Sequence, residues 1–153
     1  MIVVIGVEIM RNLGTEDEMI SGAPIIGEKT PYDITDVLSG TTLKVVDVST
    51  EQKEITIEYS NMGSESIVYG ERIHFEIWTY DGWHTLKPKL ENWSVSDIAY
   101  FVEYGKTAQN TYSWAPYGDL PKGRYRIIQD VTEELDKEVY ERDYTLAVEF
   151  EID

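Results

Sequence analysis

The most constraining feature of this chain is its last run of residues. Leu146, Val148, Phe150 and Ile152 alternate with Ala147, Glu149 and Glu151. A period of two places every second side chain on the same face, so the pattern describes a strand with one face buried and one in water. The same texture begins at Thr41. Leu43–Val48 is a first apolar run, and Ile55, Ile57 and Tyr59 alternate with Thr56 and Glu58. Asn61, Gly63 and Ser64 make a turn, after which Ile73, Phe75 and Ile77 alternate with His74, Glu76 and Trp78. Asp81-Gly82 is a hairpin signal, because both residues tolerate positive φ. Trp83–Leu86, Ile98–Val102, Thr107–Trp114 and Tyr125–Val131 follow. Short runs punctuated roughly every ten residues predict an all-β antiparallel sandwich of about 7–9 strands over residues 41–153.

Residues 1–40 have a different texture. Met1–Val7 reads MIVVIGV, too short to span a bilayer and without the basic flank of a signal peptide. Its β-branched residues favour a strand, and the tail of a signal or anchor is the alternative. Residues 11–40, rich in Gly, Pro, Asp and Glu, read as a leader or long loop. Thr132–Arg142 is the one helical candidate, with only Leu135 and Val139 as an apolar pair, and otherwise reads as a solvated loop.

Charge excludes some partners. With 29 acidic and 13 basic residues the formal net charge is −16. Such a surface repels phosphate backbones and anionic headgroups, so neither nucleic acid nor an anionic membrane is an expected partner. There is no cysteine, which removes disulfides, thiolate metal sites and cysteine nucleophiles. A chain of this length buries roughly 70% of its unfolded surface and needs no such staple.

No catalytic constellation, metal site or cofactor motif emerges. A hairpin centred on Asp81-Gly82 would pair Thr79 with His84 and leave His74 too distant to share a metal. No G-x-S-x-G elbow, phosphate loop or dinucleotide fingerprint is present. Glu133, Glu134, Asp136, Glu138, Glu141 and Asp143 are the best calcium candidates, but their spacing matches no EF-hand and Lys137 and Arg142 dilute the charge. A solvated charge run is the simpler reading.

The aromatics are the remaining lead for ligand binding. A two-residue Asp81-Gly82 turn would set Trp78, Tyr80 and Trp83 on one face, as a platform for a sugar ring or a protein hot spot. A three-residue turn with a bulge at Gly82 would move Trp83 to the core. The second arrangement is favoured, because sandwich cores usually recruit a tryptophan.

The densest signature is Trp114-Ala115-Pro116-Tyr117-Gly118-Asp119-Leu120-Pro121-Lys122-Gly123-Arg124-Tyr125-Arg126-Ile127. Pro121 and Gly123 turn the chain, and Tyr125 enters a strand with its ring inward. Its hydroxyl must reach back to a backbone group, expected between Tyr117 and Leu120. The segment resembles the tyrosine corner of immunoglobulin-like and fibronectin-like sandwiches. Together with Tyr69-Gly70-Glu71 and Asp81-Gly82-Trp83, it resembles a bacterial Ig-like domain family common in Gram-positive extracytoplasmic proteins and lipoproteins. The block is similar to that family's W-x-x-Y-G-x-L-P-x-G-x-Y-R-I pattern, which marks Trp114, Tyr117, Gly118, Leu120, Pro121, Gly123 and Tyr125 as structural. The resemblance covers residues 41–153 and implies a cell-envelope location, although no cysteine is present to accept a lipid. It implies a non-catalytic module for protein interaction or structural spacing, bound to an unknown protein or glycan. A carbohydrate-binding module using the surface aromatics is the alternative.

Overall fold

The alternating runs become strands that pack face to face. A computed structural model describes residues 4–5, 9–10, 20–90, 93–136 and 140–153, with side chains for 20–90, 93–135 and 141–153. The strands are β1 (Val4–Ile5), β2 (Ile9–Met10), β3 (Ile25–Lys29), β4 (Thr41–Ser49), β5 (Glu54–Asn61), β6 (Ser66–Gly70) and β7 (Ile73–Thr79). They continue as β8 (Gly82–Lys87), β9 (Ser94–Val95), β10 (Ala99–Glu103), β11 (Lys106–Ser113), β12 (Gly123–Asp136) and β13 (Tyr140–Ile152). Among the described residues the only helical element is a 3₁₀ turn at Ala115–Tyr117. Of Met1–Val7, Val4–Ile5 forms β1 against β10, and the other residues of that run lie outside the described ones.

Two antiparallel sheets form the sandwich. The larger runs β1-β10-β6-β12-β7-β8-β3, with β13 also on β12, and the smaller runs β11-β5-β4. β12 organises the larger sheet. One edge pairs with β13; the other pairs first with β7 through Tyr125–Gln129 and then with β6 through Thr132–Glu134. Ile55, Ile57 and Tyr59 from one sheet meet Ile67, Phe75, Tyr125, Ile127 and Phe150 from the other, all buried. The Phe150 ring stacks on Tyr125 at 5.5 Å and lies 6.4 Å from both Trp114 and Phe75.

The core also holds a chain of hydroxyls. Tyr59 stacks on Tyr69 at 3.6 Å, and Tyr69 on Tyr100 at 5.2 Å. The Tyr59 hydroxyl lies 2.7 Å from that of Tyr112 and donates to Gln129 Oε1 at 3.0 Å. Tyr69 donates to Asn110 Oδ1 at 2.7 Å, and Tyr100 donates to Glu71 Oε1. Each of these tyrosine hydroxyls therefore has a partner, as burial requires. Burial raises the pKa of Tyr59, Tyr69 and Tyr112, so these phenols stay neutral.

The corner preceding β12 has two anchors. Gly118 takes φ 101°, and a Cβ there would fall 2.5 Å from the Gly22 carbonyl oxygen, so only glycine fits. The adjacent Asp119 amide donates to Gly22 O at 2.7 Å, and its carboxylate accepts from the Gly22 amide at 2.8 Å. Tyr125 is fully buried and donates to Pro121 O at 2.5 Å. The acceptor is thus one residue beyond the expected Tyr117–Leu120 interval, because Leu120 turns its side chain into the core while the Pro121 carbonyl sits over the phenol. Burial pushes the Tyr125 hydroxyl up to about 12. Trp114, Tyr117 and Leu120 are buried around it.

Two expectations need correction, and one strand was not anticipated. Of Thr132–Arg142, residues 132–136 and 140–142 are neither helix nor loop but extend the β12–β13 pairing, where Thr132 pairs with Asp143 and Glu133 with Arg142, and residues 137–139 lie outside the described ones. The ladder continues past the core because backbone pairing needs no apolar side chain. Within residues 11–40, Ile25–Lys29 is a strand rather than a loop, pairing with β8 as the sheet edge. Ser66–Gly70 is a further strand, between β10 and β12.

Replacing Phe150 by alanine empties a site walled by three aromatic rings, and should cost about 3–5 kcal/mol in urea titration. A loss under about 1 kcal/mol would contradict its central place. Tyr125→Phe leaves the Pro121 carbonyl without its donor and should cost about 1–3 kcal/mol in the same titration. A variant as stable as the parent would refute that role.

Candidate functional site

The β7–β8 hairpin gathers the aromatics that the sequence singled out. Its register pairs Ile77 with His84, Trp78 with Trp83 and Thr79 with Gly82. The tip is therefore Tyr80-Asp81, one residue earlier than an Asp81-Gly82 turn, and His84 faces Ile77 rather than Thr79. Gly82 takes the positive φ, 122°, that closes the turn. Thr79 Oγ1 braces it by donating to Asp81 Oδ1 at 2.7 Å.

This register also corrects the placement of Trp83. Directly paired residues share a face, so Trp83 joins Trp78 on the outer face and does not enter the core. The core is already supplied with an indole by Trp114, 1% exposed. Trp78 and Trp83 meet edge to face, centroids 5.3 Å apart at 70°. Trp78 is half exposed, Trp83 is half buried, and Tyr80 stands wholly in solvent at the tip. Two of the three aromatics are thus in contact, and the third projects beyond them.

Two arginines that sequence reasoning missed complete the patch. Arg124 and Arg126 flank the inward Tyr125 on β12, so both point outward. The Arg124 guanidinium carbon lies 5.0 Å from the Trp78 ring centroid and 5.2 Å from that of Trp83. That of Arg126 lies 4.5 Å from Trp83. Each arginine has its own carboxylate: Arg124 pairs with Glu149 at 2.5 Å and Arg126 with Glu76 at 2.7 Å. The second pair is buried, and Glu76 Oε2 has no hydrogen-bond partner. The available signal was Arg-Tyr-Arg itself, since an inward tyrosine fixes both neighbours outward.

The segment following β3 crosses this outer face. The Thr30 amide donates to Trp83 O at 2.9 Å, and Arg126 donates to Thr30 Oγ1 at 3.4 Å. Tyr32 stacks on His74 at 5.0 Å. Burial lowers the His74 pKa and favours a neutral ring.

His84 is engaged on both sides. Nδ1 lies 3.0 Å from Gly27 O and Nε2 lies 2.8 Å from Asp81 Oδ1. Both partners are acceptors, so the imidazolium satisfies both contacts and the neutral ring only one. Its pKa is raised, first by the Gly27 carbonyl and then by Asp81, with Lys29 opposing. Asp81 is lowered, first by the Thr79 hydroxyl and then by His84. A ring held this way clamps β3 to the hairpin and offers no free lone pair to a substrate. Among the described residues no three His, Asp or Glu side chains gather to hold a metal ion; of the acidic run, the Asp136 side chain and Glu138 lie outside the described residues.

The clamp has a defined pH window. A histidine with a raised folded pKa stabilises fully below its unfolded value of about 6.5, and loses that contribution as pH rises through the folded value. Asp81 acts oppositely, losing its contribution as pH falls through its lowered value. Intrinsic-rate-corrected amide exchange at Ile25–Lys29 should therefore accelerate, relative to β13, as pH rises above about 6.5. Equal behaviour of the two strands would show that His84 does not hold the edge.

A family model described as Bacterial Ig-like domain matches residues 38–151. No curated protein and no solved structure matches the chain.

Proposed function

Because the chain belongs to the bacterial Ig-like domain family, we propose that it is a non-catalytic, extracytoplasmic module that docks a protein partner through the β7–β8 hairpin tip. The observation that carries this reading is Tyr80, a residue 101% exposed. A tyrosine wholly in water contributes nothing to the core, so folding does not account for it. It stands beside the half-exposed Trp78 and the partly exposed Arg124. Tyrosine, tryptophan and arginine are the residues that dominate protein hot spots. The fitting partner offers an apolar side chain to the rings and a carboxylate to Arg124.

Sugar stacking is less well supported. A sugar platform needs a free, flat ring face, whereas Trp78 and Trp83 meet at 70° with Arg124 over both. The extracytoplasmic setting rests on the family and on the strong negative charge, which keeps a module dispersed among anionic surfaces. No helix among the described residues is long and apolar enough to cross a membrane.

The test is site-specific cross-linking on intact producing cells. A photoreactive benzoylphenylalanine at position 80 should give one discrete protein adduct, and the same probe at exposed Glu141 should not. Trp78→Ala should remove that adduct while the chain still unfolds in one cooperative thermal transition. Equal labelling from both positions, or none from position 80, would leave structural spacing as the role. Titration with hexoses and short oligosaccharides should leave tryptophan fluorescence unchanged.

A further inference from the structure

A cavity of about 390 Å³ opens at the other end of β7, away from the hairpin tip. It lies between the β6–β7 junction, the end of β8, β9 and the 3₁₀ turn. Phe75, Leu86, Trp93, Tyr112 and Tyr117 contribute to its wall, together with Glu71. Such a volume is at the small end of ordinary ligand pockets.

Glu71 makes this space chemically distinctive. It is only 9% exposed. Its Oε1 accepts from the Tyr100 hydroxyl and from Asn110 Nδ2 at 3.4 Å, both neutral donors. Among the described residues none of the ion pairs includes Glu71. Arg72 also borders the cavity, but its side chain is 75% exposed and reaches towards Asp97 at 3.8 Å. A buried carboxylate without a counter-charge is costly, and a cation brought to it removes that cost. The surrounding rings act in the same direction, since aromatic faces attract cations. An anion would meet the carboxylate, and a neutral apolar body would leave it uncompensated.

We propose that this cavity binds an organic cation, an alkylammonium group no larger than a lysine side chain with its backbone, with Glu71 as counter-ion. The aromatic wall takes the alkyl portion and the carboxylate takes the charge. The site is separate from the hairpin tip and does not depend on the docking reading.

Calorimetric titration of the full chain in an amine-free buffer tests it. n-Butylammonium should bind saturably, and 1-butanol, which has the same chain without the charge, should bind at least about tenfold more weakly. Glu71→Gln should abolish that preference, with thermal unfolding reporting that the variant is folded. Should Glu71→Gln fail to fold, Trp93→Ala should weaken n-butylammonium about fivefold through loss of wall area. Tyr80→Ala should leave this titration unchanged. Nα-acetyl-lysine methylamide distinguishes the source: binding like n-butylammonium indicates a peptide side chain, and exclusion indicates a free small amine. Equal affinity for n-butylammonium and 1-butanol, no saturable binding, or a charge preference that survives Glu71→Gln would overturn the proposal.

Discussion

The strand Gly123–Asp136 is buried on both faces over Tyr125–Gln129, and what surrounds it follows from that constraint. Tyr125 and Ile127 face the opposing sheet, where apolar partners are plentiful. Arg126 and Ile128 face the other way, towards what would ordinarily be solvent. Ile128 is 0% exposed and Arg126 is 5% exposed, so that side needs its own cover. Cover comes from the segment after β3, through Thr30 and Tyr32, and from the Trp83 ring over Arg126. Arg126 cannot be desolvated alone, and Glu76 beside it on β7 supplies the opposite charge. Arginine suits the position because its planar guanidinium pairs with a carboxylate and stacks on an indole together.

How legible this was depended on whether one face of a strand meets water. β13 was easy, because Phe150 and Ile152 are buried while Glu149 and Glu151 are exposed. β5 was equally clear, with Ile55, Ile57 and Tyr59 at 0% exposure between half-buried neighbours. β3 was not, because Ile25 and Ile26 are both largely exposed and hydrogen bonds to β8 hold the strand. The far ends of β12 and β13 were hidden differently. Their side chains are mostly charged, and a ladder held by its backbone leaves no hydrophobic period to read. A charged stretch with one apolar i,i+4 pair then mimics a weak helix.

The hairpin site shows how one residue of register governs a functional reading. The aromatic residue types were visible in the sequence, but their grouping depended on where the turn sat. Moving the tip from Asp81-Gly82 to Tyr80-Asp81 pairs Trp83 with Trp78 and isolates Tyr80 at the apex. The preference for a core tryptophan was sound as physics but was satisfied elsewhere, by Trp114. Once Trp83 is outside, Arg124 and Arg126 acquire ring faces to cover. That in turn distinguishes the residues: Trp83 and Arg126 are explained by the packing of the sheet, whereas Tyr80 is not.

The matched residues begin at Leu38, yet much of what stabilises the sheet lies before it. β3 supplies the partner for β8, and its Gly27 carbonyl holds the His84 ring. Gly22 exchanges two hydrogen bonds with Asp119 at the corner that launches β12. Without these residues the outer edge of β8 would be left unpaired, and a free edge is a template for unwanted strand pairing. Ile128 and the Arg126–Glu76 pair would also lose their cover, exposing apolar surface and an ion pair arranged for a dry setting. The bulge between Ile26 and Lys29 shows how the replacement edge is itself managed. An irregular ladder gives an incoming strand no continuous row of donors and acceptors. The segment therefore does two jobs with one stretch of chain: it closes the sheet laterally as β3, then folds over the face of β12 as cover.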